Sequence, residues 1–283
     1  MNIKHVKFGY NSATKLASHV IELFYGLGNS FGFSFSEFWE ENRDELVEKL
    51  VKPSKDTALH SFIRYADTFV ENDINETLRN LGIYDYQEYF DYLEAMIRGA
   101  GHDLDIQPPN YDAIAECGKC EECPDCLQLY DYIEELASAQ ETTLPTVIGT
   151  TFHLLMVNKT FLSEFNERLA ECIEDDTEYL KVKYQTNFDK NGRLNRVSYW
   201  PKWLKRGLFY RDRGVYVICR TDLSGTVNVG LDYEIDHIVP ISKYGNNDPS
   251  NLQVLCRSCN LKKLNISNQT STYEIPFWNN DED

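Results

Sequence analysis

The chain has 283 residues, 42% of them apolar, and a formal net charge of −17. The length allows two ordinary domains, each with its own core, and the composition is that of a globular protein rather than a fibrous or low-complexity one. A membrane span is not expected, because the most apolar run, residues 144–157, is short and interrupted by threonines and a histidine.

The opening "MNIKHVKFGYNS" lacks the apolar stretch of a secretory signal, so a cytoplasmic location is expected, where thiols stay reduced. Cysteines that cluster are then expected to bind metal, and the others to pack in cores. The charge is uneven. Residues 1–175 hold 13 Lys/Arg against 32 Asp/Glu, a balance of −19, whereas residues 176–283 hold 15 against 13, or +2. Phosphate backbones attract the second region and repel the first. A plain solvated acidic surface gives the same count in the first.

The first hundred residues read as helices. Asn11 or Ser12 is placed to cap a segment with Leu16, Val20, Ile21 and Phe24 on one face. Ser34 with Glu37 forms a capping-box pattern before Phe38, Trp39, Leu46 and Leu50. Asp85 with Glu88 does the same for Tyr86, Tyr89, Phe90, Leu93 and Ile97, and Gly99 is a natural stop. These aromatics at helical spacing are core residues. "DIQPPNYD" (105–112) is a break.

"ECGKCEECPDC" follows, with Cys117, Cys120, Cys123 and Cys126 at intervals of three. On one continuous helix these thiols would spread over roughly 13 Å, too far for one ion. A loop of two knuckles brings them together around a structural zinc. An iron–sulfur cluster and a metal-free segment are the alternatives. Helical patterns resume near 127–139 and 160–173, the latter with Phe161, Phe165, Leu169 and Cys172 in one stripe.

The texture changes after residue 176. Residues 181–200 carry Asn191-Gly192 between extended-looking flanks, a hairpin signal. They also interleave Lys181, Lys183, Lys190, Arg193 and Arg196 with Tyr184, Phe188, Tyr199 and Trp200, a mix suited to nucleic acid or to an ordinary amphipathic hairpin. Pro201 opens a short helix. "YEIDHIVP" then reads as a strand, "YGNNDPSN" as a loop dense in turn formers, "LQVL" as a second strand and "CRSCNLKKLN" as the start of a helix.

Asp236-His237, Asn251, the Cys256-x-x-Cys259 pair and Asn260 fall in that order in register with one another. Residues 208–265 resemble the HNH endonuclease family, whose site is a ββα-metal finger. The resemblance implies phosphodiester hydrolysis aided by Mg²⁺ or a similar divalent ion. It makes His237 the general base and Asn251 the holder of the loop that orients it, with Asp236 and Asn260 as ligands of the ion. This chemistry is sensible, because a histidine accepts a proton near neutral pH and a divalent ion neutralises phosphate charge. The family often has His where this chain has Asn260. Lys262 and Lys263, with Arg257 and Lys243, are expected to meet phosphates.

The resemblance implies a structural zinc, usually held in this family branch by two Cys-x-x-Cys pairs. Here the first pair reads Tyr216-Val-Ile-Cys219, so Cys219, Cys256 and Cys259 remain, with Asp222 as a candidate fourth ligand. The alternative is a finger without zinc, held by apolar packing.

The expectation is therefore an α+β chain: a mostly helical acidic region, 1–175, with a four-cysteine insert at 117–126, followed by a ββα-metal nuclease module, 176–283. DNA is the expected substrate, and the acidic region is expected to bind a protein partner or regulator. A role in restriction or anti-phage defence follows from the resemblance by analogy alone. A nucleic-acid-binding zinc protein or scaffold subunit with a degenerate site, and an RNase, are the rival readings.

Overall fold

The structure is a computed structural model that describes residues 10–27, 33–79, 83–117, 122–223 and 233–271. It is mostly helical, with a small two-stranded sheet near the C-terminus. Among the described residues no helix is long and apolar enough to cross a membrane. The chain divides into two compact units, Met1–Phe31 with Phe62–Leu154, and Gly32–Ser61 with Leu155–Asp283. This differs from a single cut near residue 175: residues 32–61 and 155–175 belong with the C-terminal unit.

The first unit holds α1 (Tyr10–Tyr25), most of α3 (Ala58–Arg79), α4 (Ile83–Gly99), α5 (Tyr111–Cys117) and most of α6 (Pro124–Met156). α1 buries Ala13, Leu16, Val20 and Leu23, one stripe at helical spacing. Ile21 and Phe24 lie at its half-buried margin. The helix starts at Tyr10, so Asn11 and Ser12 sit inside its first turn rather than capping it. Ser12 Oγ instead donates to the Met96 carbonyl of α4 at 2.6 Å. Gly99 ends α4 where a Cβ would come within 2.6 Å of that hydroxyl, so a larger residue there would displace the Ser12 side chain from this bond. α4 begins at Ile83, ahead of the expected Asp85–Glu88 box, whose side chains lie outside the described residues. A core of Phe90, Leu93, Ile97, Leu104, Tyr111, Ile114, Cys126, Tyr132, Leu136 and Ala139 joins α4, α5 and α6. The helix expected at 127–139 continues through Pro145, because the apolar run after it buries Val147 and Ile148.

The second unit holds α2 (Phe35–Val51), α7 (Lys159–Asp175), α8 (Thr177–Lys183), α9 (Lys202–Arg211), β1 (Glu234–His237), β2 (Leu252–Leu255) and α10 (Arg257–Lys263). Ser34 stands at the N-cap of α2, yet its side chain makes no cap bond, so the expected box with Glu37 does not form. α2 is held by buried Phe38, Trp39, Leu46, Val47 and Leu50. It is also tied to Asp176 Oδ2, which accepts from Trp39 Nε1 at 2.7 Å and from Arg43 at 2.8 Å. Asn158 caps α7 by accepting from the Phe161 amide at 2.8 Å.

The hairpin expected over 181–200 is a single bridge, Phe188 with Leu194, around a tight turn. Residues 181–183 finish α8 instead. Asp189 Oδ1 accepts from the amides of Asn191 and Arg193, and Gly192 supplies φ +75°. The turn signal was local and strong, but no ladder extends from it.

β1 and β2 pair antiparallel, with Ile235 opposite Val254, Asp236 opposite Gln253 and His237 opposite Leu252. Their apolar side packs with Leu204, Leu208, Tyr216 and Leu223. Tyr216, where the resemblance implies a cysteine, is thus a core residue here. The outer edge of β2 is covered: the Val254 amide donates to Asp212 Oδ2 at 3.1 Å, and its carbonyl accepts from Val217 at 2.9 Å.

Candidate active site

Alternation along β1 sends Glu234 and Asp236 towards α10 and His237 to the other side of the strand. The Asn260 side-chain amide donates to Glu234 Oε2. One turn on, the Lys263 ammonium lies 2.9 Å from Asp236 Oδ2 and donates to the His237 carbonyl at 2.7 Å. Gln253, directly across the ladder, donates to the same Asp236 oxygen at 3.2 Å.

This donor set fits a hard divalent cation. Among the described residues, Asp236 Oδ1 and Asn260 Oδ1 meet no hydrogen-bond partner, and Gln253 Oε1 is buried and unpartnered. Three oxygen acceptors around one strand–helix junction suit an oxygen-seeking ion. Gln253 was not singled out in the sequence, although the register that sets it against Asp236 follows from the two strand patterns.

The loop between the strands looks like a surface turn in sequence and is buried in the structure. Asn246, Asn247, Asp248, Ser250 and Asn251 are all fully enclosed. Asn251 clamps it: its Oδ1 accepts from the Val239 amide at 2.8 Å, and its Nδ2 donates to the carbonyls of Val239 and Asn246 at 3.0 and 2.8 Å. Gly245 closes the turn where a Cβ would overlap the Val239 carbonyl. The other loop residues reach segments far away in sequence. Asn246 donates to Asn166 of α7 at 2.9 Å. The Asn247 amide donates to the Leu50 carbonyl at 2.9 Å, which satisfies one orphan group at the end of α2. Asp248 Oδ2 accepts from the Ala58 amide at the start of α3 at 2.8 Å, and Oδ1 accepts from Ser250 at 2.8 Å. The loop that follows His237 is therefore built partly by residues 50–58 and 166.

His237 is 3% exposed. Its Nε2 lies 3.1 Å from Asn247 Oδ1, and its ring tilts against Trp200 with centroids 5.7 Å apart. Burial pushes its pKa down to about 4. The ring is thus neutral at pH 7 and keeps a lone pair for a proton. Burial likewise lowers the Lys263 pKa, against the pull of Asp236.

Two groups of thiols converge. Cys219, Cys256 and Cys259 have their sulfurs within 4.8 Å of one another, and so do Cys117, Cys123 and Cys126. No described cysteine forms a disulfide. Sulfurs on a tetrahedral zinc with bonds of about 2.3 Å stand roughly 3.8 Å apart. Cys219 and Cys256 are 3.9 Å apart, Cys117 and Cys123 are 3.7 Å, and Cys117 and Cys126 are 3.4 Å. Asp222 is not in the first group; its backbone bridges Val215. Cys120 lies outside the described residues. Cys126 sits in the α4–α6 core, and burial first, then the neighbouring thiols, push its pKa up.

Of the four basic residues expected at a phosphate, Lys243, Arg257 and Lys262 are exposed. Lys263 is not: its side chain is 0% exposed and committed to Asp236 and the His237 carbonyl. Its position on the inner face of α10 follows from the helical period, three residues after Asn260.

Comparison with known proteins matches this region alone. No curated protein and no solved structure matches the chain. Residues 219–265 match the family model described as HNH endonuclease. That span runs from Cys219 through β1, the clamped loop and β2 to the end of α10, so the similarity to the HNH endonuclease family covers the candidate site.

Proposed function

We propose that the protein is a divalent-metal-dependent endonuclease that hydrolyses phosphodiester bonds in DNA, by nicking or by double-strand cleavage. The observation that supports this most is a buried, neutral His237 next in the chain to Asp236, which pairs across the ladder with Gln253 and its buried, unpartnered side-chain oxygen. In this reading His237 takes the proton from the attacking water, and Asn251 holds the loop that fixes its ring. Asp236 and Asn260, aided by Gln253, would hold the divalent ion, Mg²⁺ or a similar one. A bound ion of this kind neutralises charge on the phosphate and on the departing oxygen. Lys243, Arg257 and Lys262 meet flanking phosphates, while Lys263 supports the site from beneath.

Cys219, Cys256 and Cys259 would hold a structural zinc that pins the start of α10 to the 216–222 turn. Cys117, Cys123 and Cys126 would hold a second, fastening α5 to α6. The acidic region recruits a protein partner or restrains the nuclease electrostatically, in the manner of a restriction or anti-phage effector. The test is incubation of the full chain with supercoiled plasmid and Mg²⁺, with and without chelator, beside matched RNA. Chelator-sensitive nicking of the plasmid is expected. Cleavage of RNA alone would favour the RNase, and no cleavage of either would favour a degenerate binding module.

A further inference from the structure

His237 Nε2 and Asn247 Oδ1 face each other at 3.1 Å, and the far end of the amide decides which atom carries the hydrogen. Asn247 Nδ2 has two hydrogens and two carbonyl neighbours, Val51 and Asn195, each at 3.0 Å. A carbonyl only accepts. A flipped amide would set its oxygen against both carbonyls, so the NH₂ group must point at them. Oδ1 is then the atom that faces the ring, and it can only accept. It already receives the Val197 amide at 3.5 Å. Nε2 must therefore carry the proton. A neutral imidazole has one, so Nδ1 holds the lone pair, and among the described residues Nδ1 meets no hydrogen-bond partner.

We propose that Asn247 is a positioning residue that locks His237 in the Nε2–H tautomer, aimed by the end of α2 and by the Asn195 carbonyl, so that Nδ1 is the atom that accepts the proton of the attacking water. The last clause rests on the nuclease reading; the tautomer does not. In the chemical step a water O–H bond breaks and its proton goes to Nδ1. The water oxygen bonds to phosphorus while the bond from phosphorus to the departing sugar oxygen breaks. That oxygen takes a proton from solvent, and the imidazolium later returns its own. Throughout, Nε2–H stays on Asn247 Oδ1, which favours the cationic ring as it forms.

Val51 and Asn195 both lie outside the stretch matched by the family, 219–265. The base of the site is thus oriented by parts of the chain that the family match does not contain. Leu50, which accepts the Asn247 backbone amide, belongs to the same helix end.

The experiment is long-range proton–nitrogen correlation NMR on the full chain labelled in its six histidines, at neutral pH without added metal. The His237 signals are identified by their loss in His237→Gln. A protonated Nε2 with an unprotonated Nδ1 is expected. A protonated Nδ1, or an even mixture, overturns the proposal on the unmodified protein, whatever any variant does. Asn247→Ala is expected to give mixed tautomers and to lower kcat by about 10-fold or more, short of the ~10²–10⁴-fold that complete loss of a general base costs, with KM for plasmid unchanged. A single Nε2–H tautomer with parental kcat in that variant also overturns it. Failure of the nuclease reading looks different: the lock is present but the parent chain cuts no nucleic acid, which overturns the proton-transfer clause.

Discussion

Replacing Asp248 with alanine is expected to destabilise the C-terminal unit by about 2–4 kcal/mol. The carboxylate is fully buried and bonds two amides, those of Ala58 and Ser250, each at 2.8 Å. Alanine leaves both donors buried without a partner, at roughly 1–3 kcal/mol each. Relief of the burial that raises the Asp248 pKa offsets part of that cost. For a unit of this size the loss corresponds to a fall in Tm of roughly 4–16 °C. Urea unfolding followed by tryptophan fluorescence is the assay. The three described tryptophans, Trp39, Trp200 and Trp203, all fall within this unit, so their signal reports it. An unchanged urea midpoint and a Tm within about 2 °C of the parent would refute the claim that the loop is fastened to residues 50–58 through this side chain.

Two further outcomes follow from the thiols and from the buried histidine. Elemental analysis of protein purified without chelator should find between one and two zinc per chain. Cys126→Ser should lower that content and the Tm together, since binding energy there is folding energy, and a zinc content near zero would remove both assignments. Because the folded His237 pKa, about 4, lies below its unfolded value near 6.5, the unfolded chain binds more protons between those pH values. Stability should be fully present above pH 6.5 and fall as pH drops towards 4. Between pH 7 and 4.5 the contribution of this one group is about 2 kcal/mol. His237→Gln should lack that part of the slope, and equal slopes for parent and variant in urea titrations would contradict the burial argument.

The two short strands, the loop and the helix were legible because each has a local cause: alternation around Asp236, turn formers at 244–251, and a Cys-x-x-Cys followed by an apolar and basic helix face. The helical character of the first hundred residues was legible from spacing alone. What could not be read was where the loop's polar groups go. Asn246, Asn247 and Asp248 are turn formers in any sequence, and their partners Asn166, Leu50, Val51 and Ala58 stand 80 to 197 positions away. The charge step near residue 176 is likewise a local signal. It records surface composition, whereas contacts such as the half-buried ones of Asp176 with Trp39 and Arg43 on α2 join residues more than 130 positions apart. Lys263 reads as a second basic residue beside Lys262, yet the helical period turns one to solvent and the other under Asp236.

The central claim is that His237 accepts the proton in a phosphodiester cleavage. Its most direct test is the single-turnover rate of plasmid cleavage at saturating Mg²⁺ by the parent chain and by His237→Ala. A loss of about 10²–10⁴-fold is expected, with fold and zinc content unchanged. A variant that cuts as fast as the parent would contradict it.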